Sequence, residues 1–377
     1  FSTRVWSLDK WGEDLIACPR GGAIYVWDTS VGTGSRAALI SGSPATCKFA
    51  MVAPDARHLV ALGAHDGSSS DPLLIRWSSS EDYTDWTETE TNTAGSHRVD
   101  QGNEILCGVK TDKEIVVHTD SALYSMVYQG NPYQFEIRHR GSNGGLIGPN
   151  AAKEFDGRVF WMGSKDFWMY DGAIKLLNCE VIDYVMKDIN RNQGEKVHAF
   201  AVREFGEVWW LYCSAAETEI DRYVVYNAYE NIWYYGTITR TAGMGDSKTF
   251  ATPYAAGVDG YLYSHESSTD DDLAALNSYI ESGDVDINEG EQLLQIRRLV
   301  PDFERLSGSV KLTLTGKKYP QATESVTKGP FVITPTTKKI NSRIKARQIS
   351  FKIESTDIGD DWRMGVPRPD AMPHGKR

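Results

Sequence analysis

The sequence predicts an all-β protein: a β-propeller body of about six blades over residues 1–277, then a smaller antiparallel, β-sandwich-like domain over residues 278–377. Three observations carry the prediction. Two aromatic-rich strands joined by a short polar turn recur along roughly the first 265 residues, and strands this short between turn signals cannot bury a core alone. The units number about six, with as many as four strands in the longest, which is a propeller's count. After about residue 278 the aromatic units give way to apolar/polar alternation, the mark of a half-buried antiparallel sheet. The spacing wanders between about 35 and 55 residues, so a series of β-sandwiches stays open.

The clearest copy runs Val159-Phe160-Trp161-Met162, the turn Gly163 to Asp166, then Phe167-Trp168-Met169-Tyr170, closing on Asp171-Gly172. Before it come Leu15 to Asp28 around Gly21-Gly22, then Phe49–Val52, His58–Leu62 and Leu73–Trp77, then Ile105–Val109, Glu114–His118 and Ala122–Tyr128. Lys153 to Gly157 reads as the turn preceding the fourth unit. The fifth unit is a complete sheet of Ala199–Arg203, Glu207–Tyr212, Arg222–Asn227 and Ile232–Gly236. A partial sixth holds Thr249–Ala255 and the hairpin of residues 259–263.

Two stretches depart from β patterning. Val181, Ile182, Val185, Met186 and Ile189 fall at helical spacing, which predicts a helix over 180–190. Asp270-Asp271-Asp272 before Leu273-Ala274-Ala275-Leu276 reads as the start of a second, with acidic residues suiting its N-terminal dipole. Beyond residue 278, Val310–Leu314 and Ile349–Ile353 alternate between apolar and polar residues.

The chain carries a net charge of -11, unevenly spread. Residues 285–377 hold 17 Lys and Arg against 11 Asp and Glu, and residues 1–284 hold 23 against 40. An acidic body does not grip a phosphate backbone, and the basic end reads as a solvated or subunit-facing surface. The five cysteines, Cys18, Cys47, Cys107, Cys179 and Cys213, never form a C-x-x-C pair and are expected to be buried free thiols in a reducing compartment. No apolar run approaches the roughly 18 residues of a membrane span. The chain begins at Phe1 within what already reads as fold interior, so an N-terminal segment is expected to precede it.

No motif with catalytic mechanics is present: no G-x-S-x-G, no H-E-x-x-H and no phosphate-binding G-x-x-x-x-G-K-[ST]. Residues 141–148 are glycine-rich and read as a tight connection between blades that needs positive φ. His118 and His198 lie inside strands as structural imidazoles. Residues 80–86 are similar to the Asp-box turn of sialidases but are one residue short and lack its glycine. Glu204, Glu207, Glu217 and Asp221 are carboxylates that a glycosidase would need in pairs, though sequence does not place them. Trp209-Trp210 and Trp233-Tyr234-Tyr235 put neighbouring rings on opposite strand faces, for packing, a subunit interface or a sugar site. No cofactor or metal is expected.

A family likeness then follows from Trp6-Ser7-Leu8-Asp9 with Trp11-Gly12-Glu13-Asp14, Pro19-Arg20-Gly21-Gly22, Arg76-Trp77-Ser78 and Asp82 to Trp86. Residues 143–151, Glu207-Val208-Trp209-Trp210, Arg222 to Asn227, Trp362-Arg363-Met364-Gly365 and His374-Gly375-Lys376-Arg377 extend it. The chain resembles the tail hub or nozzle proteins, also called packaged-DNA stabilisation proteins, of short-tailed bacteriophages. The resemblance implies a propeller with an added β domain, assembled as a ring, usually a hexamer, below the portal and adaptor rings. Such a ring would extend the DNA channel, support a needle, plug or fibre, and reside in the virion tail after assembly in the host cytoplasm. The residues expected to matter are structural: Trp161, Trp168, Asp171, Gly172, Trp209, Trp210, Trp233, Trp362, Arg363 and Gly365. A carbohydrate-binding or glycan-cleaving propeller for host attachment is the alternative.

Overall fold

The computed structural model describes residues 4–142, 144–287 and 291–375. Phe1 and Ser2, Asn143 of the glycine-rich stretch, and the terminal Lys376 and Arg377 lie outside the described residues. The chain divides into two compact units, Phe1–His265 and Glu266–Arg377. Among the described residues no helix is long and apolar enough to cross a membrane.

The first unit is a succession of small antiparallel meanders, each in chain order. The first sheet holds β1 (Trp6–Trp11), β2 (Asp14–Pro19), β3 (Tyr25–Trp27) and β4 (Ala38–Leu39). The second holds β5 (Phe49–Val52), β6 (Leu59–Leu62), β7 (Leu74–Trp77) and β8 (Gly95–Arg98). The third is β9 (Ile105–Lys110), β10 (Ile115–Thr119), β11 (Leu123–Tyr128) and β12 (Phe135–Gly141). The fourth is β13 (Ala152–Phe155), β14 (Arg158–Met162), β15 (Phe167–Tyr170) and β16 (Ile174–Leu177). Helix α1 (Ile182–Asp188) precedes the fifth sheet of β17 (His198–Val202), β18 (Glu207–Tyr212), β19 (Arg222–Asn227) and β20 (Ile232–Thr237). The sixth has three strands, β21 (Arg240–Met244), β22 (Tyr254–Gly257) and β23 (Leu262–Ser264).

The first strand of each sheet lies beside the first strand of the next, from β1 to β5 and onward through β9, β13 and β17 to β21. Apolar side chains are therefore shared between successive sheets. Ile16 and Cys18 of the first sheet, with Ile24 just before β3, meet Ala50, Val52 and Leu59 of the second, and Met51, Val60 and Ile75 meet Ile115, Val117 and Tyr124 of the third. Covering both faces of a sheet removes the need for alternation, which is why Phe160, Trp161 and Met162 are consecutive and all buried. Cys18 and Cys47 come together at one such junction with their sulfurs 3.3 Å apart. Their hydrogen bond holds the Cys18 thiol below its ordinary range and pushes Cys47 up. All five cysteines are free and buried.

The hairpin of residues 159–170 has the expected register, Val159 opposite Tyr170 through Met162 opposite Phe167, closed by the Gly163 N–H on the Asp166 carbonyl at 2.8 Å. Four expectations are corrected. Lys153–Phe155 belong to strand β13, and the turn is only Asp156-Gly157, at φ 53° and 72°, the left-handed pair whose twist matches a two-residue hairpin. Thr249 to Pro253 are not strand, because Ser247 Oγ accepts the Thr249 and Phe250 N–H groups and holds a turn. Asp270–Leu276 is not helical: β24 (Asp270–Asp271) and β25 (Ala274–Ala275) form a hairpin around Asp272 and Leu273 at φ 45° and 71°. Leu273 is exposed there, so a helix would have had no apolar face to bury. The glycines at 144, 145 and 148 do not use positive φ; they allow close approach instead. A Cβ on Gly145 would stand 2.3 Å from the Asp120 carbonyl oxygen, and one on Gly148 2.1 Å from that of Gly194.

In the second unit, β26 (Ser278–Glu281), β27 (Val285–Asp286), β30 (Val310–Lys317), β31 (Ser325–Ile333) and β33 (Gln348–Ser355) make a five-stranded sheet. A three-stranded sheet has β28 (Leu294–Val300) between β32 (Ile340–Ala346) and β35 (Arg368–Pro373), and β29 (Phe303–Ser307) pairs β34 (Asp361–Met364). Leu294, Ile296 and Ile344 of the three-stranded sheet share one core with Leu312, Leu314 and Ile353 of the larger one. The structural division falls at residue 265, ahead of the expected 277. Six acidic residues, Glu266, Asp270, Asp271, Asp272, Glu281 and Asp284, thus join the second unit, which balances at 17 basic and 17 acidic residues. The whole net charge of -11 belongs to the first unit.

Candidate functional site

The tryptophans form a packing lattice. Trp161 is fully buried and donates its indole N–H to the Gly144 carbonyl at 2.8 Å; its register partner Trp168 is half-buried against the same core. Trp210, also fully buried, donates to the Ala151 carbonyl at 3.0 Å and packs on Phe167 and Trp233, with centroids 5.0 and 6.0 Å away. Trp233 donates to the Asn178 carbonyl at 2.9 Å. Trp209 points to the other face, as strand alternation requires, where it stacks on Phe200 and Tyr223 and donates to the Glu207 carboxylate at 2.9 Å. Trp161, Trp209, Trp210 and Trp233 each spend their indole N–H on a partner within the fold, and Trp161 and Trp210 are wholly buried.

The other expected residues make contacts of their own within the fold. Asp171 is an exposed turn carboxylate paired with Lys175, which holds it below its ordinary range, and Gly172 takes φ 104° beside it. Trp362 donates to the Ser355 and Ser278 hydroxyls at 3.1 and 3.3 Å. Arg363 pairs with Glu304 at the surface, and the Gly365 N–H meets the Asp302 carbonyl at 2.8 Å. The Asp-box-like turn is stitched internally: Asp82 accepts the Thr84 N–H and hydroxyl, and buried Trp86 donates to the Tyr83 carbonyl. Asp221 accepts from Ser214 and Arg222. Among the described residues, no group of three or more His, Cys, Asp and Glu is placed to hold a metal ion.

His118 is fully buried edge-on to Trp161, with centroids 5.0 Å apart and neither ring nitrogen hydrogen-bonded. Burial pushes its pKa down to about 3 from 6.5. The folded protein therefore excludes a proton that the unfolded chain accepts, and stability is lost as pH falls from about 6.5 toward about 3. At pH 5 this one group is expected to remove about 2 kcal/mol. Urea unfolding of His118→Phe at pH 7.5 and 5.0 checks it; an acid loss equal to wild type would refute the assignment.

The unexpected feature is a polar cleft of about 430 Å³ in the second unit, lined by Gln295, Arg297, Arg298, Asn341, Arg343 and Asp370. Its origin is a double irregularity in the sheet. Ile296 pairs with Ile344 and Ala371, and Arg298 pairs with Asn341 and Asp370, so Arg297 stands as an extra residue against β35 and faces two residues of β32. The bulge brings the consecutive Arg297 and Arg298 both to the exposed side, while Ile296 and Leu299 stay buried. Across from it Arg343 takes φ 49°, and Ser342 Oγ donates to the Ile296 carbonyl at 3.0 Å. Arg298 Nε is paired with Asp370 at 2.9 Å. The sequence signal was available: Leu294 to Leu299 breaks its alternation at Arg297-Arg298, which marks a bulge.

No family model matches the chain, and no curated protein matches it. Among solved structures it is similar to a fungal alcohol oxidase of the AA5 family in complex with copper, at 8% identity and a TM-score of 0.44 over 98% of this chain and 84% of that one. It is also similar to Sqt1 of Saccharomyces cerevisiae, at 9% identity and a TM-score of 0.44 over 78% and 92% of the two chains. Apo AztD from Citrobacter koseri gives 11% identity and a TM-score of 0.41 over 66% and 65%. Likenesses at this level assign no activity to the chain.

Proposed function

We propose that the protein is a non-enzymatic structural component of a short-tailed bacteriophage tail, a hub or nozzle subunit that forms a ring around the path of the DNA. The first unit is read as a six-bladed propeller. The observation that carries this reading is the succession of six small meanders with adjoining first strands, followed by a separate β unit, which is the organisation the family resemblance implies. The concentration of the net charge of -11 in the first unit supports it, because a conduit that must release DNA is served by a surface that repels phosphates. Ring closure needs one face of each subunit to meet a different face of the next. A hexamer would dock on the adaptor ring, carry a needle, plug or fibre, and enclose passing double-stranded DNA. Mass photometry of the purified protein is expected to show six times 42.0 kDa, and antibody labelling to place it at the virion tail. A protein that stays monomeric and is absent from virions would sink the reading.

A further inference from the structure

We infer that the arginine cleft of the second unit is a phosphate-binding site. Arg298 is neutralised by Asp370, whereas Arg297 and Arg343 have no carboxylate partner among the described residues. Two unneutralised guanidinium forks on one cleft match an oxyanion carrying two charges. A phosphate near neutral pH is mostly a dianion and offers enough oxygens for both forks and for the amides of Gln295 and Asn341. A carboxylate would leave one arginine unneutralised and has only two oxygens to share. The volume, about 430 Å³, is that of a small-molecule site.

The backbone supports the same conclusion. In a regular strand Arg297 and Arg298 would face opposite sides of the sheet, and the bulge is what joins them on one side. Arg343 sits at φ 49°, a region that residues other than glycine adopt only where the surroundings impose it. Two irregularities at one level of adjacent strands therefore converge three arginines that sequence spacing would scatter. The site does not depend on the ring reading, since every lining residue comes from one copy of the second unit.

The test is calorimetric titration of the full chain with sodium phosphate at pH 7.5, blanked with sodium chloride at matched ionic strength. Saturable binding of one phosphate per chain is expected, with ribose 5-phosphate as a second arm. Binding of both ligands assigns the site to a phosphomonoester, and binding of inorganic phosphate alone assigns it to the free ion. Arg297→Gln and Arg343→Asn are each expected to weaken binding about tenfold or more. Asn tolerates the left-handed backbone, so an unchanged melting temperature for Arg343→Asn separates loss of the guanidinium from loss of the fold. Asp370→Asn, which frees Arg298, is expected to tighten binding. The inference is overturned by the absence of saturable heat up to roughly 10 mM phosphate. It is equally overturned by affinities that Arg297→Gln and Arg343→Asn leave unchanged, or by binding confined to double-stranded DNA.

Discussion

Trp210→Ala is expected to destabilise the first unit by about 3–5 kcal/mol. The side chain is fully buried between the fourth and fifth sheets, against Phe167 of one and Trp233 of the other. Its removal takes away a large apolar surface and leaves a cavity that two β-sheets with fixed backbone pairing cannot close. The lost hydrogen bond matters less, because the Ala151 carbonyl also accepts the Met162 N–H at 3.1 Å and is not orphaned. Trp210→Phe is therefore expected to recover more than half of the loss, since packing and not the indole N–H dominates. Trp6→Ala is the control: that ring is 48% exposed, and its removal is expected to cost about 1 kcal/mol or less. Urea unfolding followed by near-UV circular dichroism measures all three. A Trp210→Ala protein no less stable than Trp6→Ala would show that the lattice does not hold the sheets together.

Gly148→Ala is expected to cost at least about 3 kcal/mol, beyond the ordinary range for an added methyl group. The new Cβ would lie 2.1 Å from the Gly194 carbonyl oxygen and 2.9 Å from its carbon. Both are backbone atoms, so no rotamer change relieves the overlap. The contact is reciprocal, since a Cβ on Gly194 would come within 2.8 Å of the Ile147 carbonyl oxygen. The chain entering the fourth sheet at β13 would thus be pushed from the segment Arg191–Lys196 that leads into β17. Gly157→Ala separates this from a conformational effect. Gly157 has φ 72° with open space around it, and its substitution is expected to cost only about 1 kcal/mol of left-handed strain. Equal denaturation midpoints for the two variants would refute the close-approach account.

The elements readable in the sequence were the buried ones. Residues 159–170 gave their hairpin register directly, because four aromatic or apolar residues, a polar turn and four more admit one pairing. The outer strands carried no such mark. Ala38–Leu39 and most of Gly95–Arg98 are exposed, so selection for burial left no apolar pattern there to read. Strand β21 was missed for the same reason, its five residues being half-buried or exposed. Strand alternation alone placed Trp209 and Trp210 on opposite faces, where each packs on different rings. The arginine cleft was not read, since its lining residues lie on three strands and are brought together only by pairing.

What the amino-acid sequence determined by itself was local and periodic: all-β character, the helix at Ile182–Asp188, the strand-turn-strand units and the alternating second unit. These follow from side-chain period, turn chemistry and burial, which act within a few residues. Tertiary structure alone decided the rest. It set the unit boundary at residue 265, and with it the neutrality of the second unit. It also decided that Gly145 and Gly148 serve close approach, that Cys18 meets Cys47, and that Arg297, Arg298 and Arg343 converge. Each of these depends on where distant segments pack, and contacts across tens of residues leave no period in the chain that makes them.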